Sequence, residues 1–222
     1  MGRKHYTERI PQQTRHAKER GRWDIGEAPR PQPIGVRRRL DRATGFAFLG
    51  ALCELDAIGG LPEQLKPRRS SHVTLLPHRA YESQLKQGKL SQQKLLDARA
   101  QIDRKSRNYR ERQVQSNVVD VAFLGGRILI LKLESEQLQT EREDIANVME
   151  RFGVKGLDGQ YTNTTLHVSV AEADRPLPLD VRRRALKIVG DALDTVHPLE
   201  EPLTFDAWSV YPQPETARLL AA

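Results

Sequence analysis

His72-Val73-Thr74-Leu75 returns 95 residues later as His167-Val168-Ser169-Val170. Alternate side chains of a β-strand point to opposite faces, so His72 and Thr74 share one face while Val73 and Leu75 share the other. His167 and Ser169 stand in the same relation to Val168 and Val170. Each stretch can therefore bury one face in a core and present an imidazole beside a hydroxyl on the other. In a chain of this composition, a given His is followed by apolar, hydroxyl, apolar about 1% of the time. One such His is ordinarily a surface or hydrogen-bonded core residue. A second copy, in a second plausible strand, reverses that expectation. If the two strands are neighbours, two His and two hydroxyls converge on one spot, a set suited to general acid–base chemistry on a phosphate.

Outward from the two stretches, the pattern alternates strands and helices. Residues 43–66 hold an apolar run that suits either a strand near Phe46 or a helix starting near Asp41 or Thr44, ended by Gly59-Gly60 and Pro62. The first motif strand spans 71–76 and stops at Pro77. Residues 81–112 read as one long helix, with Leu85, Leu95, Leu96 and Ile102 as its apolar stripe, a basic outer side and a weak point at Gly88. Two β-branched runs, 118–124 and 127–133, flank Gly125-Gly126 and predict a hairpin. An amphipathic helix over 136–152 follows, then the second motif strand at 165–171. A helix capped by Asp180 and a strand at 203–210 complete the order. This is an α+β pattern with antiparallel pairing, divisible into two related lobes.

At 222 residues and 38% apolar content, the chain can build one medium domain or two small lobes with a real core. Residues 1–42 hold 12 Lys and Arg against 5 Asp and Glu, and so carry the whole net charge of +7. With four prolines and little periodicity they read as a disordered basic arm, able to attract nucleic-acid phosphates or simply to aid solubility. The globular domain is assigned to 43–215, and 216–222 to a tail. The N-terminus lacks an apolar signal core, Glu8, Glu19, Asp24 and Glu27 argue against a transit peptide, and no apolar run approaches the roughly 18–20 residues of a membrane span. A cytoplasmic location is expected. Cys53 is the single cysteine, which excludes an intrachain disulfide and a thiolate zinc cluster; neither metal nor cofactor is expected.

The two motifs, with the hairpin and helix between them, resemble those of the 2H phosphoesterases, which carry two His-apolar-Thr/Ser-apolar motifs. The resemblance is strongest to bacterial RNA 2′,3′-cyclic phosphodiesterases, once called 2′-5′ RNA ligases, and covers residues 43–212 by element order. It implies two pseudo-symmetric lobes, each an antiparallel sheet with helices outside, and both motifs facing a central cleft. It also implies metal-independent opening of 2′,3′-cyclic phosphates on RNA ends or nucleotides. His167 would be the base and His72 the acid, with Thr74 and Ser169 holding phosphate oxygens. Ser169 stands where Thr is commoner in the family but keeps the hydroxyl, and the basic arm has no family counterpart. Three other functions fit the same residues: a 2′-5′ RNA ligase-like or other cyclic-nucleotide enzyme, an inactive RNA-binding module of this fold, and a basic interaction protein whose motifs are ordinary strands. The expected partners are an RNA or nucleotide substrate and nucleic acid at the arm, with no membrane, and the chain is expected to be a monomer. Of the remaining residues, His78 and His197 read as surface histidines. Tyr161, Trp208 and Tyr211 read as packing residues with a second role open to them, stacking a base.

Overall fold

The computed structural model describes residues 34–69, 71–109, 112–157 and 165–211. Its strands are β1 (Gly35–Leu40), β2 (Leu65–Pro67), β3 (His72–Leu76), β4 (Val114–Leu124), β5 (Ile128–Glu134), β6 (Leu166–Ala173) and β7 (Leu203–Tyr211). The helices are α1 (Arg42–Ala57), α2 (Glu82–Lys86), α3 (Gln92–Tyr109), α4 (Glu136–Arg151) and α5 (Leu179–Val196), with a 3-10 turn at His78–Ala80. The class is α+β, as the pattern predicts.

All seven strands belong to one antiparallel sheet in the order β2-β6-β3-β1-β7-β4-β5, and β5 also pairs with β6. The pairings therefore run in a ring through β6, β3, β1, β7, β4 and β5. The antiparallel sheets expected of the two lobes are joined by these pairings into one. β4 explains the join: at 11 residues it is long enough to pair with β7 through Val114–Ser116 and with β5 from Asn117 onward. Closing the ring leaves few unpaired strand edges.

The apolar face of the sheet carries Val36, Leu40, Val73, Leu75, Leu131, Val168, Val170, Phe205 and Val210, all buried. Helices pack over it, α1 beside α5 and α3 beside α4. Each is placed by a local signal. Asp41 caps α1, its Oδ1 accepting from the backbone N–H groups of Ala43 and Thr44, which settles residues 42–57 as helix. Ser135 caps α4 in the same way through Leu138 N–H. The hairpin turns through Gly125, Gly126 and Arg127, and the two glycines take the positive φ that a tight turn between right-twisted strands needs.

Three expectations are corrected. Residues 35–40, assigned to the basic arm, form β1 at the centre of the sheet, paired with β3 on one edge and β7 on the other. The three consecutive arginines there are tolerated because Arg37 and Arg39 face away from the core, while Arg38 enters it with a carboxylate partner. The single helix over 81–112 is broken into α2 and α3, because Gly88 adopts φ +67° and lets the chain turn before Leu90 is buried. Finally, β2 is an additional strand. It pairs with the same edge of β6 as β3 does, with a slip of three residues between the two pairings. Residues 1–33 of the arm and the 216–222 tail lie outside the described residues.

Candidate active site

Val73 stands directly opposite Val168 in the antiparallel pairing of β3 with β6, and both side chains are fully buried. Residues flanking such a pair point to the other face. His72 then lies across from Ser169, and Thr74 across from His167. The two histidines are diagonal neighbours, a relation that separates the residues by about 7–8 Å and their Cβ atoms by somewhat less. All four side chains are half-buried. The four residues singled out in the sequence are thus brought together on the face of the sheet opposite the helices.

The neighbouring strands extend this face on both sides. In β1, Arg37 pairs with Thr74 and Arg39 with His72. In β7, Ser209 pairs with Arg37, and its Oγ accepts from Arg37 Nε at 3.3 Å. In β5, Lys132 pairs with His167 and Ile130 with Ser169. Lys132 reaches on to Asp120 of β4 at 2.6 Å. One row across the sheet therefore reads Ser209, Arg37, Thr74, His167, Lys132, Asp120, polar at every step. The next reads Arg39, His72, Ser169, Ile130. Arg37 and Arg39 flank the two histidines on one side and Lys132, paired with Asp120, stands on the other, so the β1 side of this face favours an anion.

His167 is fixed by a bond of its own. Its Nδ1 lies 3.0 Å from the backbone oxygen of Thr165. A carbonyl can only accept, so the bond requires the proton on Nδ1, and in the neutral ring Nε2 then carries the lone pair. That nitrogen is the one able to accept a proton. Tyr211 borders the face at β7, its ring packed over Gly35, with the Arg37 guanidinium 5.0 Å from the ring centroid. Burial raises the Tyr211 hydroxyl above its ordinary range, opposed by Arg37.

The secondary candidates divide. Trp208 is on the helix-covered side, buried with its Nε1 donating to Glu141. His197, expected at the surface, is half-buried because it ends α5 and sets its ring edge against Phe48. Tyr161 and the His78 side chain lie outside the described residues. Among the described residues no group of three His, Cys, Asp or Glu side chains is placed to hold a metal ion. No helix among them is long and apolar enough to cross a membrane. Arg37 and Arg39 were not singled out in the sequence; the signal that marks them is the alternation Val36, Arg37, Arg38, Arg39, Leu40, which the charge of Arg38 conceals.

No family model matches the chain, and no curated protein sequence matches it. Solved structures do. The PDE domain of MHV ns2 is 19% identical, covering 65% of this chain and 86% of that one, with a TM-score of 0.40. Usb1 of Kluyveromyces marxianus is 15% identical, covering 82% and 95%, with a TM-score of 0.48. A conserved protein of unknown function from Agrobacterium tumefaciens str. C58, ATU0111, is 12% identical, covering 81% and 80%, with a TM-score of 0.49.

Proposed function

We propose that the chain is a phosphodiesterase of the 2H kind that opens 2′,3′-cyclic phosphates of RNA ends or nucleotides by paired histidine acid–base catalysis. The pairing of Val73 with Val168 carries this reading, because it sets His72, Thr74, His167 and Ser169 on one face. His167 Nε2 takes a proton from the attacking water, and the new P–O bond forms as the water oxygen reaches phosphorus. His72, protonated, gives its proton to the ribose oxygen as the ring P–O bond breaks. The proton-donating bond from His167 Nδ1 to the Thr165 carbonyl supports the role of base for this ring. Thr74 and Ser169 donate to the non-bridging oxygens as negative charge grows, and the Arg37 and Arg39 guanidiniums favour the same charge.

The test is turnover of a nucleoside 2′,3′-cyclic phosphate, followed by phosphorus NMR, in buffer and in EDTA. We expect hydrolysis to one monophosphate isomer, a bell-shaped pH–rate profile, and no loss in EDTA. His72→Ala and His167→Ala each abolish turnover while the melting transition is kept, and Thr74→Val slows it about 10²–10³-fold. Absence of turnover, or loss in EDTA restored by a divalent ion, would overturn this function. RNA binding that survives both histidine substitutions, without turnover, would instead identify a binding module.

A further inference from the structure

At the end of β1, where α1 begins, the chain forms an open cavity. Arg39 stands opposite His72, on the adjacent strand about 4.8 Å away. It also lines a cavity of about 560 Å³, together with Arg42, Phe46, Arg69, Ser71 and Asp206. Four parts of the chain build the cavity. The end of β1 supplies Arg39, the first two turns of α1 supply Arg42 and Phe46, the segment between β2 and β3 supplies Arg69 and Ser71, and β7 supplies Asp206.

The charges there are unevenly committed. Arg38, Arg68 and Arg127 each make an ion pair with a glutamate, whereas Arg39, Arg42 and Arg69 make none among the described residues. Two carboxylates reach the cavity. Asp41 is occupied in capping α1, which leaves Asp206 against three guanidiniums. Phe46 is 60% exposed, and the Arg42 guanidinium lies 5.4 Å from its ring centroid. An exposed aromatic ring beside several arginines is what single-stranded nucleic acid uses, a stacking surface for a base and cations for the backbone. The volume suits a ligand about the size of one nucleotide.

We infer that this cavity is a subsite for the nucleotide next to the reacting one, which makes the substrate an RNA chain ending in a cyclic phosphate in preference to a free mononucleotide. The neighbouring base stacks on Phe46 and its phosphate lies among Arg39, Arg42 and Arg69. This inference rests on the phosphodiesterase reading above. An acidic peptide would satisfy the arginines but would leave both the ring and the adjacency to the histidine face without a role.

The test compares kcat/KM of the full chain for a nucleoside 2′,3′-cyclic phosphate and for a tetranucleotide ending in the same group. We expect the tetranucleotide to be preferred about tenfold or more, the preference falling as salt rises. Phe46→Ala and Arg42→Ala each bring the ratio toward one, and Phe46→Trp retains it. Equal kcat/KM for the two substrates, or a preference that both alanine variants keep, overturns the subsite. If neither substrate turns over, the phosphodiesterase reading fails, and binding decides the subsite alone. The Phe46→Trp protein is then titrated with a tetranucleotide and, separately, with a glutamate peptide of equal charge. Fluorescence quenching by RNA and not by the peptide supports the subsite; quenching by both or by neither overturns it.

Discussion

Arg38 is fully buried in the face of β1 that meets the helices, and every polar atom of its guanidinium has a partner. Nε and Nη2 form a two-pronged pair with the Glu141 carboxylate at 2.6 and 2.7 Å, and Nη1 donates to the backbone oxygens of Asp206 and Arg112. Trp208 Nε1 adds a further donor to Glu141 at 2.6 Å, and Tyr109 stacks on the indole. Because side chains alternate along the strand, anchoring Arg38 below fixes Arg37 and Arg39 above, beside the histidines. Removing one partner of a buried ion pair strands the other charge and costs about 3–5 kcal/mol. Glu141→Gln should therefore lower the unfolding free energy by about 3 kcal/mol in urea denaturation, and Arg38→Met with Glu141→Met should lower it less than Glu141→Gln alone. A Glu141→Gln protein as stable as the parent would show that the pair does not hold β1. At this scale the sequence was readable where chemistry and periodicity agree. His72, Thr74, His167 and Ser169 alternate with buried apolar residues and declare their face. Arg38 breaks that rule, since only a tertiary partner 103 residues away makes its burial tolerable. Three arginines in succession then read as solvated chain.

The elements fall along the same division. The hairpin and α4 each carry a complete local signature, a Gly-Gly turn in one and a serine cap with an apolar stripe in the other. Helix α5 has its stripe but begins at Leu179 after Pro178, so that Asp180, expected as its cap, lies within its first turn. β1 and β2 carry none. β1 is a central strand of six residues, and β2 has three, so both draw their stability from strands distant in sequence. The close packing at the start of β1 gives a direct test of that dependence. A Cβ at Gly35 would overlap the Tyr211 ring, which crosses over this residue from the paired strand. Gly35→Ala should force the ring outward and release it from the burial that raises its hydroxyl. In a spectrophotometric titration, one tyrosine of the variant should ionise at lower pH than in the parent, and Arg37 should lose its contact with the ring. An unchanged titration would mean that Tyr211 does not lie over Gly35 in solution. The break between α2 and α3 is the converse case. Gly88 was visible as a weakness in the periodicity, and the structure turns that weakness into a change of direction.

For the whole molecule, the shifted groups set limits on stability at both ends of the pH range. Burial raises the Tyr81 hydroxyl well above its ordinary range, despite its hydrogen bonds to the backbone of Ile34, which tie the entry of β1 to the segment after β3. Tyr109 is raised from 10.0 to about 12, chiefly by donating to the Asp144 carboxylate at 2.8 Å and then by burial. A group raised in the folded state holds its proton when the unfolded chain has released it. Its contribution is thus fully present below pH 10 and is lost as pH rises toward the folded value. Asp144 works at the other end. Burial alone would raise its carboxyl, but hydrogen bonds from Lys105 and Tyr109 outweigh this and hold it below 3.8. Its contribution is present above that value and is lost as pH falls through the lowered one. The Tyr109–Asp144 bond links α3 to α4, so one substitution should act at both limits. In Tyr109→Phe, the urea midpoint should fall less steeply between pH 10 and 12 than in the parent. Near pH 3 to 4 the variant should also show a weaker acid dependence, because Asp144 loses the Tyr109 hydrogen bond while keeping Lys105 and the charge of Arg151, and its carboxyl moves back toward 3.8. Parallel curves for the two proteins at alkaline pH would show that Tyr109 ionises as it does in the unfolded chain, and that its bond to Asp144 does not help to hold α3 against α4.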